Sequence, residues 1–395
     1  MGPARARRGA DPFDAISLET LRARRSEKWA TYPADVLPAW VAETDFPLAP
    51  AVRAAIEAAL DHDDCGYASA QGLGPAFRRY AQAVWRWPPD EPGIFAVPDV
   101  MAGITQVMLL TTAPGDRVVI NPPVYPPFFE TIRSAGRNIE EVPLRRTDGD
   151  PSWHLDFDAL EDAFSRGSRA YLLCHPHNPV GRIWPKPDLE RIATLARHYD
   201  VAVISDEIHA PLAMPEQPFV PFLSLEQRPA RSAALHSASK AWNVAGLKCG
   251  LLVAGSTEFA SDIEARLSAI PTEIISRVGH LGVLASIAAF DSGFDWLEAL
   301  RVHLDRNRRL LAQLLREHIP SVGYALPEAG YLAWLDCRAL GVGPDPARHF
   351  LKRGKVALAR GLDFGAQGAG FARLNMGTSS ALLREIVSRM KAALV

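Results

Sequence analysis

Ala233-Ala234-Leu235-His236-Ser237-Ala238-Ser239-Lys240, continuing as Ala241-Trp242-Asn243-Val244-Ala245-Gly246-Leu247-Lys248, is the stretch whose reading decides the fold. A short apolar run ends in small hydroxyl residues, then one lysine, with Lys248 eight positions on. An apolar run this short, closed by small residues, reads as a strand buried on both faces, and such strands belong to parallel sheets. Sheets of that kind bind ligands at the carboxyl ends of their strands, where Lys240 falls. A lysine delivered there between serines suits a Schiff base beside a phosphate. Such a lysine must lose its proton, and a snug, partly desolvated site favours the loss. A surface lysine at a strand exit is the plainer alternative, and this segment alone leaves it open.

The neighbouring sequence repeats the pattern. Arg117–Ile120 is a β-branched run closed by Asn121-Pro122-Pro123, and Ala170–Cys174 is closed by His175-Pro176-His177-Asn178-Pro179. Val201–Ser205 is fully apolar up to Asp206-Glu207, and Leu251–Ala254 is a further short strand. Between them Ala51–Leu60, Gly103–Thr112 and Leu189–Tyr199 read as helices, the first with Val52, Ile56 and Leu60 on one face; Leu281–Phe290 reads as a buried helix. Apolar strands separated by helices predict an α/β fold with a mostly parallel sheet covered on both faces. Asn121, Asn178, Asp206 and Ser237 to Lys240 all fall at or just past strand ends, which gathers them into one candidate site. After residue 290 the pattern turns α+β: a long helix over Phe294–His318, strands over Tyr331–Leu335 and Phe371–Asn375, and a closing helix over Leu382–Leu394. The expected division is a disordered extension over 1–12, an N-terminal segment over 13–48 packing with the small domain, a large domain over 49–290 and a small domain over 291–395.

A chain of 395 residues exceeds the size at which one core keeps growing, and 48% apolar residues suffice for a large core. A net charge of −2 gives no electrostatic case for nucleic acid or an anionic membrane. The basic Ala4–Arg8 stretch lacks a signal-peptide apolar core, and Ala6 stands where a myristoylation signal wants Ser or Thr. Cys65, Cys174, Cys249 and Cys337 lie far apart with no CxxC pair, which fits reduced thiols in a cytoplasm. No run approaches 18 apolar residues.

Each candidate residue has a chemical reading and a plain one. Asp206 ends a buried strand; it is either a solvated strand end or the partner of a buried cation, such as a protonated pyridine nitrogen that lets the ring act as an electron sink. Gly103, Ile104 and Thr105 are read as opening a helix whose backbone N–H groups, with the Thr105 hydroxyl, suit a phosphate. Tyr125 follows a Pro-Pro turn and could stack on an aromatic cofactor or simply pack in a loop. Arg373 offers a bidentate carboxylate fork, or a structural ion pair. His175 and His177 have no further His or Cys at ligand spacing and read as loop histidines rather than metal ligands. Gly72-x-Gly74 follows no strand and runs into Pro75, so it fails the dinucleotide fingerprint.

Taken in order, Asn178-Pro179-Val180-Gly181, Ser205-Asp206-Glu207-Ile208-His209 and Ser237-Ala238-Ser239-Lys240 with Lys248 resemble the fold-type-I pyridoxal phosphate enzymes. Within them the chain looks most like the cysteine-conjugate β-lyases, the cystathionine β-lyase branch related to aminotransferases. Trp40-Val41-Ala42-Glu43-Thr44-Asp45-Phe46, Cys65-Gly66-Tyr67, Val100-Met101-Ala102-Gly103-Ile104-Thr105-Gln106 and Phe371-Ala372-Arg373-Leu374-Asn375 extend the likeness over nearly the whole chain from about Asp11. The resemblance implies a seven-stranded, mostly parallel sheet in the large domain and pyridoxal 5′-phosphate as cofactor. Lys240 would anchor the cofactor and move the substrate α-proton, and Asp206 would hold the pyridine nitrogen. Asn178 would bond the phenolic oxygen, with His209 where aminotransferases usually carry a tyrosine for that task. Tyr125 would stack on the ring; Gly103, Ile104, Thr105, Ser237 and Lys248 would bind the phosphate. Arg373 would clamp the substrate carboxylate, with Ala42 and Asn178 also at the substrate. Tyr67 would reach in from a partner subunit, which implies a homodimer. The implied reaction is α,β-elimination of a cysteine thioether to thiol, pyruvate and ammonia. An aminotransferase is the rival, followed by a tailoring enzyme acting on a bulky amino acid by C–S cleavage or oxidative deamination, and by a cofactor-binding regulator. The chain departs from the branch at Ala42–Phe46, where Ala-Asp-Met-Asp-Phe is frequent, at Cys65 and His175, and at Gly377-Thr378-Ser379 in place of Cys-Pro-Arg. These positions put the accepted leaving group in question.

Overall fold

The computed structural model describes residues 11–146, 152–271 and 278–395. The first ten residues of the expected extension lie outside the described residues. Asp11 is held: its carboxylate accepts from the Phe13 N–H at 3.0 Å and lies 3.1 Å from His303 Nδ1 and 2.9 Å from an Arg306 nitrogen.

The larger sheet has seven strands in the order Ile94–Val97, Gly250–Ala254, Ser232–His236, Ala202–Asp206, Ala170–Cys174, Arg117–Ile120, Asn138–Glu141. All neighbours are parallel except at Gly250–Ala254, which runs antiparallel to both of its partners. Ala170–Cys174, Ala202–Asp206 and Ser232–His236 are buried at every position. Their side chains alternate: Tyr171, Leu173 and Val203 join one hydrophobic cluster, and Leu172, Ile204 and Leu235 join another on the opposite face. Each such side chain contributes about 2 kcal/mol of burial, so a one-residue slip of register would invert both layers.

A second, five-stranded sheet has the order Leu37–Ala39, Val356–Arg360, Phe371–Asn375, Leu332–Asp336, Gly323–Tyr324. Its edge strand comes from the N-terminal segment and pairs in parallel with Val356 to Leu358. The helices Phe294–His318 and Ser380–Ala392 carry Leu300, Leu304, Leu311, Leu383 and Val387 into the same cluster that lines one face of the larger sheet. The two sheets therefore share a core.

Several expected boundaries shift by one to three residues, and one of the shifts bears on the site. The helix assigned to Gly103–Thr112 begins at Val100 and ends at Thr111. Asp99 is its N-cap, its Oδ1 accepting from the Ala102 N–H at 2.8 Å. Gly103, Ile104 and Thr105 thus lie beyond the opening turn; the Gly103 N–H already donates to the Asp99 carbonyl at 3.1 Å, and the Thr105 hydroxyl donates to the Met101 carbonyl at 2.8 Å. Glycine at 103 suits the packing: a Cβ there would sit 2.6 Å from Leu235 Cδ1 on the sheet below, and that buried leucine would have to shift.

Candidate active site

Three buried or partly buried ionisable groups converge between the sheets, and among the described residues none has an oppositely charged side chain within 4 Å. Asp206 is the last residue of its strand and 5% exposed. Its Oδ1 accepts from the Ile208 N–H at 3.1 Å, and burial raises its pKa to about 6. Lys240 lies in the turn after Ser232–His236. Its Nζ donates to the Ala42 carbonyl at 3.1 Å. Burial, then the Arg373 charge, lowers its pKa to about 8 against a partly compensating pull from Asp206. Arg373, on Phe371–Asn375, donates to Asn178 Oδ1 at 3.0 Å and to the Trp40 carbonyl at 2.9 Å, while its buried Nε has no protein partner. Its guanidinium rests over Phe364, and burial lowers its pKa to about 10.

The loop from His175 to Gly181 positions Asn178. Gly181 takes φ +69°, and a Cβ there would meet Pro327 Cβ at 2.3 Å; its carbonyl accepts from the Glu328 and Ala329 N–H groups at 2.8 and 3.1 Å. The loop is thereby latched to the segment that leads into Leu332–Asp336. His175 and His177 spend Nε2 on the Val220 and Pro123 carbonyls, at 3.1 and 2.9 Å, as loop histidines do. His209 is buried, its Nδ1 unpartnered, and burial with the nearby Lys240 and Arg373 charges lowers its pKa to about 3, so its imidazole is neutral. Tyr125 is partly exposed, and burial, followed by the Asp206 charge, raises its pKa to about 12.

Sequence reasoning passed over the residues that hold the Val41–Thr44 loop. Asn243 bonds both the N–H and the carbonyl of Thr44, at 2.9 and 3.0 Å, and Asn375 donates to the Val41 and Glu43 carbonyls at 2.7 and 2.6 Å. The Tyr331 hydroxyl donates to the same Ala42 carbonyl as Lys240, at 3.1 Å. No local pattern marks these side chains, because each acts on backbone far away in sequence. Glu207 faces away from Asp206. Its Oε2 lies 3.4 Å from His236 Nε2, but burial pushes Glu207 up to about 8 and His236 down to about 3, so this is a neutral pair rather than an ion pair at pH 7.

A second corner gathers polar donors. Ser237 Oγ donates to the Cys249 carbonyl and lies 2.6 Å from Ser239 Oγ. Lys248, at φ +58°, pairs with Asp99 beside the start of Val100–Thr111. Tyr67 joins neither group; it stands 94% exposed. The cysteines are free thiols, and no described helix is long and apolar enough to cross a membrane.

This arrangement has relatives. The chain is 43% identical to a Mycobacterium leprae protein provisionally named a cystathionine beta-lyase, over 98% of this chain and 99% of that one. It is 34% identical to the cystathionine beta-lyase PatB of Bacillus subtilis, covering 91% and 93% of the two. Cystalysin from Treponema denticola, solved with pyridoxal 5′-phosphate, superposes with a TM-score of 0.89 at 27% identity, covering 97% and 98%. The family model described as aminotransferase class I and II matches residues 42–390, a span that takes in Ala42, Asn178, Asp206, Lys240 and Arg373. Sheet, site and likeness agree, and the chain belongs to the class I and II aminotransferase family.

Proposed function

We propose that this chain is a pyridoxal phosphate-dependent carbon–sulfur lyase that cleaves a cysteine thioether, cystathionine or another S-conjugate, by α,β-elimination. The observation that carries the reading is the set Asp206, Lys240 and Arg373: an anion and two cationic groups that act on one another electrostatically, yet among the described residues none has an oppositely charged side chain within 4 Å. The cofactor fits them. A protonated pyridine nitrogen answers Asp206, an aldehyde answers an amine held near its free-base form, and an amino acid's carboxylate answers the Arg373 fork. The names carried by the full-length relatives support a lyase.

Bound there, pyridoxal phosphate supplies an electron sink for the bond broken at the substrate Cα. Asp206 would keep a proton on the pyridine nitrogen. Tyr125 would cover the ring, and Asn178 with the neutral His209 would bond its phenolic oxygen. The Val100 and Met101 N–H groups at the helix opening would take the phosphate role first given to Gly103, Ile104 and Thr105, with Ser237 and Lys248 beside them. Arg373 orients the substrate by its carboxylate. Lys240, with its pKa near 8, takes the Cα proton at Nζ, and the Ala42 carbonyl holds the amine when it is free. The Cβ–S electron pair leaves with sulfur; one water is consumed, and thiol, pyruvate and ammonium are released. Tyr67 enters the site of a second copy in a homodimer, which its exposure accommodates, and we assign the enzyme to the cytoplasm.

The test is incubation of the purified protein with cystathionine and S-substituted cysteines in the absence of any keto acid. Thiol and pyruvate in equal amounts are expected. Turnover that requires an added keto acid would make the chain an aminotransferase instead. Sedimentation of the holoenzyme as a monomer would remove the role given to Tyr67.

A further inference from the structure

We propose that Asp99 is an internal anion that competes with the cofactor's phosphate for the same donors, so that this chain weakens its own hold on the cofactor. The inference rests on the pyridoxal phosphate reading above. Three donor groups meet at one corner of the larger sheet: the opening turn of Val100–Thr111, Ser237 and Lys248. They are brought together by a close backbone approach. Gly250 follows Cys249, and a Cβ on it would lie 3.0 Å from the Asp99 carbonyl carbon and 3.1 Å from the Val100 nitrogen, so the strand abuts the helix start closely there. Gly250–Ala254 pairs with Ser232–His236, with Leu251 opposite His236, which sets Ser237 beside that same corner.

A twelve-residue helix with two unbonded N–H groups at its start is a place for an anion, and a lysine and a serine hydroxyl strengthen it. Asp99 already supplies one. Its Oδ1 takes the Ala102 N–H at 2.8 Å, and its Oδ2 takes Lys248 Nζ. The two ends of one carboxylate thus hold the helix cap and the cation that a phosphate would use. The side chains are 37% and 55% exposed for Asp99 and Lys248, so their pairing is weak and Lys248 can turn to a phosphate. Asp99 cannot leave as freely, because it is the cap. It remains as a like charge beside the phosphate dianion, and by linkage each anion lowers the corner's affinity for the other.

Asp99→Asn tests this, because asparagine caps a helix as well as aspartate but carries no charge. Cofactor-free wild type and variant are titrated with pyridoxal phosphate, followed by the visible band of the bound cofactor and by tryptophan fluorescence. The variant is expected to bind roughly three- to tenfold tighter at low salt, with the gap closing as ionic strength rises. Pyridoxal, which lacks the phosphate, should bind the two proteins equally. Equal or weaker binding of pyridoxal phosphate by the variant overturns the inference, as does an equal gain with pyridoxal. Should Asp99→Asn fold poorly by circular dichroism, Asp99→Ser, another capping residue, carries the same test. A wild type that takes up no pyridoxal phosphate overturns the cofactor reading and this inference with it. Uptake by the wild type with an unchanged variant overturns this inference alone.

Discussion

Two lysines touch the same loop and are covered in opposite ways. Lys28 is 1% exposed, donates to the Glu43 carbonyl at 3.1 Å, and forms an ion pair with Asp45 at 2.9 Å; Trp29 Nε1 reaches the same carboxylate at 2.8 Å. Lys240 donates to the Ala42 carbonyl, two residues before Thr44, and has no carboxylate in contact. A buried cation with its counter-ion is architecture, since removing either partner strands the other. A covered cation without one has its pKa moved and its amine made available for chemistry. The contrast supports the proposed division, with Lys28 holding the loop and Lys240 serving the reaction.

The sharpest way to break that contrast is to exchange the losses. Lys240→Ala is expected to reduce turnover by about 10³-fold or more and to leave the protein folded. Lys28→Ala is expected to cost about 3–5 kcal/mol of stability, with the folded fraction still turning over. Calorimetry and steady-state kinetics on both variants read the two outcomes. A Lys28→Ala protein of normal Tm and lost turnover would refute the assignment. Arg373→Ala comes next: losing a buried, charge-assisted fork should lower kcat/KM by about 10²-fold, and Arg373→Lys, which keeps charge but not geometry, should recover only part of it.

Asp206→Asn turns the comparison into a stability measurement. The folded pKa of about 6 lies above the ordinary 3.8, so the native state holds the proton more tightly. The stability this group contributes is full below pH 4 and is lost as pH rises through about 6. At pH 7 the buried carboxylate is therefore a burden of roughly 2–3 kcal/mol, and the cofactor-free Asp206→Asn protein should melt higher than wild type at pH 7 but not at pH 4. Its affinity for pyridoxal phosphate should fall. A lower Tm at pH 7 would mean that Asp206 has a counter-ion after all. The smallest effect expected is at Tyr331. Tyr331→Phe leaves the Ala42 carbonyl to Lys240 alone, favours the ammonium form, and should slow turnover by roughly two- to fivefold. In the cofactor-free protein, acylation of Lys240 should show a midpoint near pH 8, and Tyr331→Phe should move it upward.

Much of this was legible in the chain itself. Ala170–Cys174, Phe294–His318 and Phe371–Asn375 lie where apolar runs and helical periodicity put them. Lys240, Asp206 and Asn178 stood out as candidates because strand ends are where a parallel sheet exposes side chains to a ligand, and the structure places them near Arg373. Other features left no local trace. The reversed direction of Gly250–Ala254 is invisible because a fully apolar run reads the same either way. Gly103 was read as opening a helix, but the helix begins at Val100 and Gly103 packs against Leu235 from another strand. Lys28 carried no sign of burial, since its partner Asp45 and carbonyl Glu43 meet it only after the loop has folded back.

The edge strand Leu37–Ala39 has a consequence for how the enzyme is made. Among the described residues its partner in the sheet is Val356–Arg360, far along the chain. The hydrogen bond from Lys240 to Ala42 spans 198 residues, and that from Arg373 to Trp40 spans 333. Contacts of such separation close late, because the chain loses loop entropy before they reward it. The growing polypeptide carries this strand unpaired until the segment from Val356 has been made. An intermediate holding only the larger sheet would lack Arg373, Trp40 and Ala42, and with them part of the proposed site.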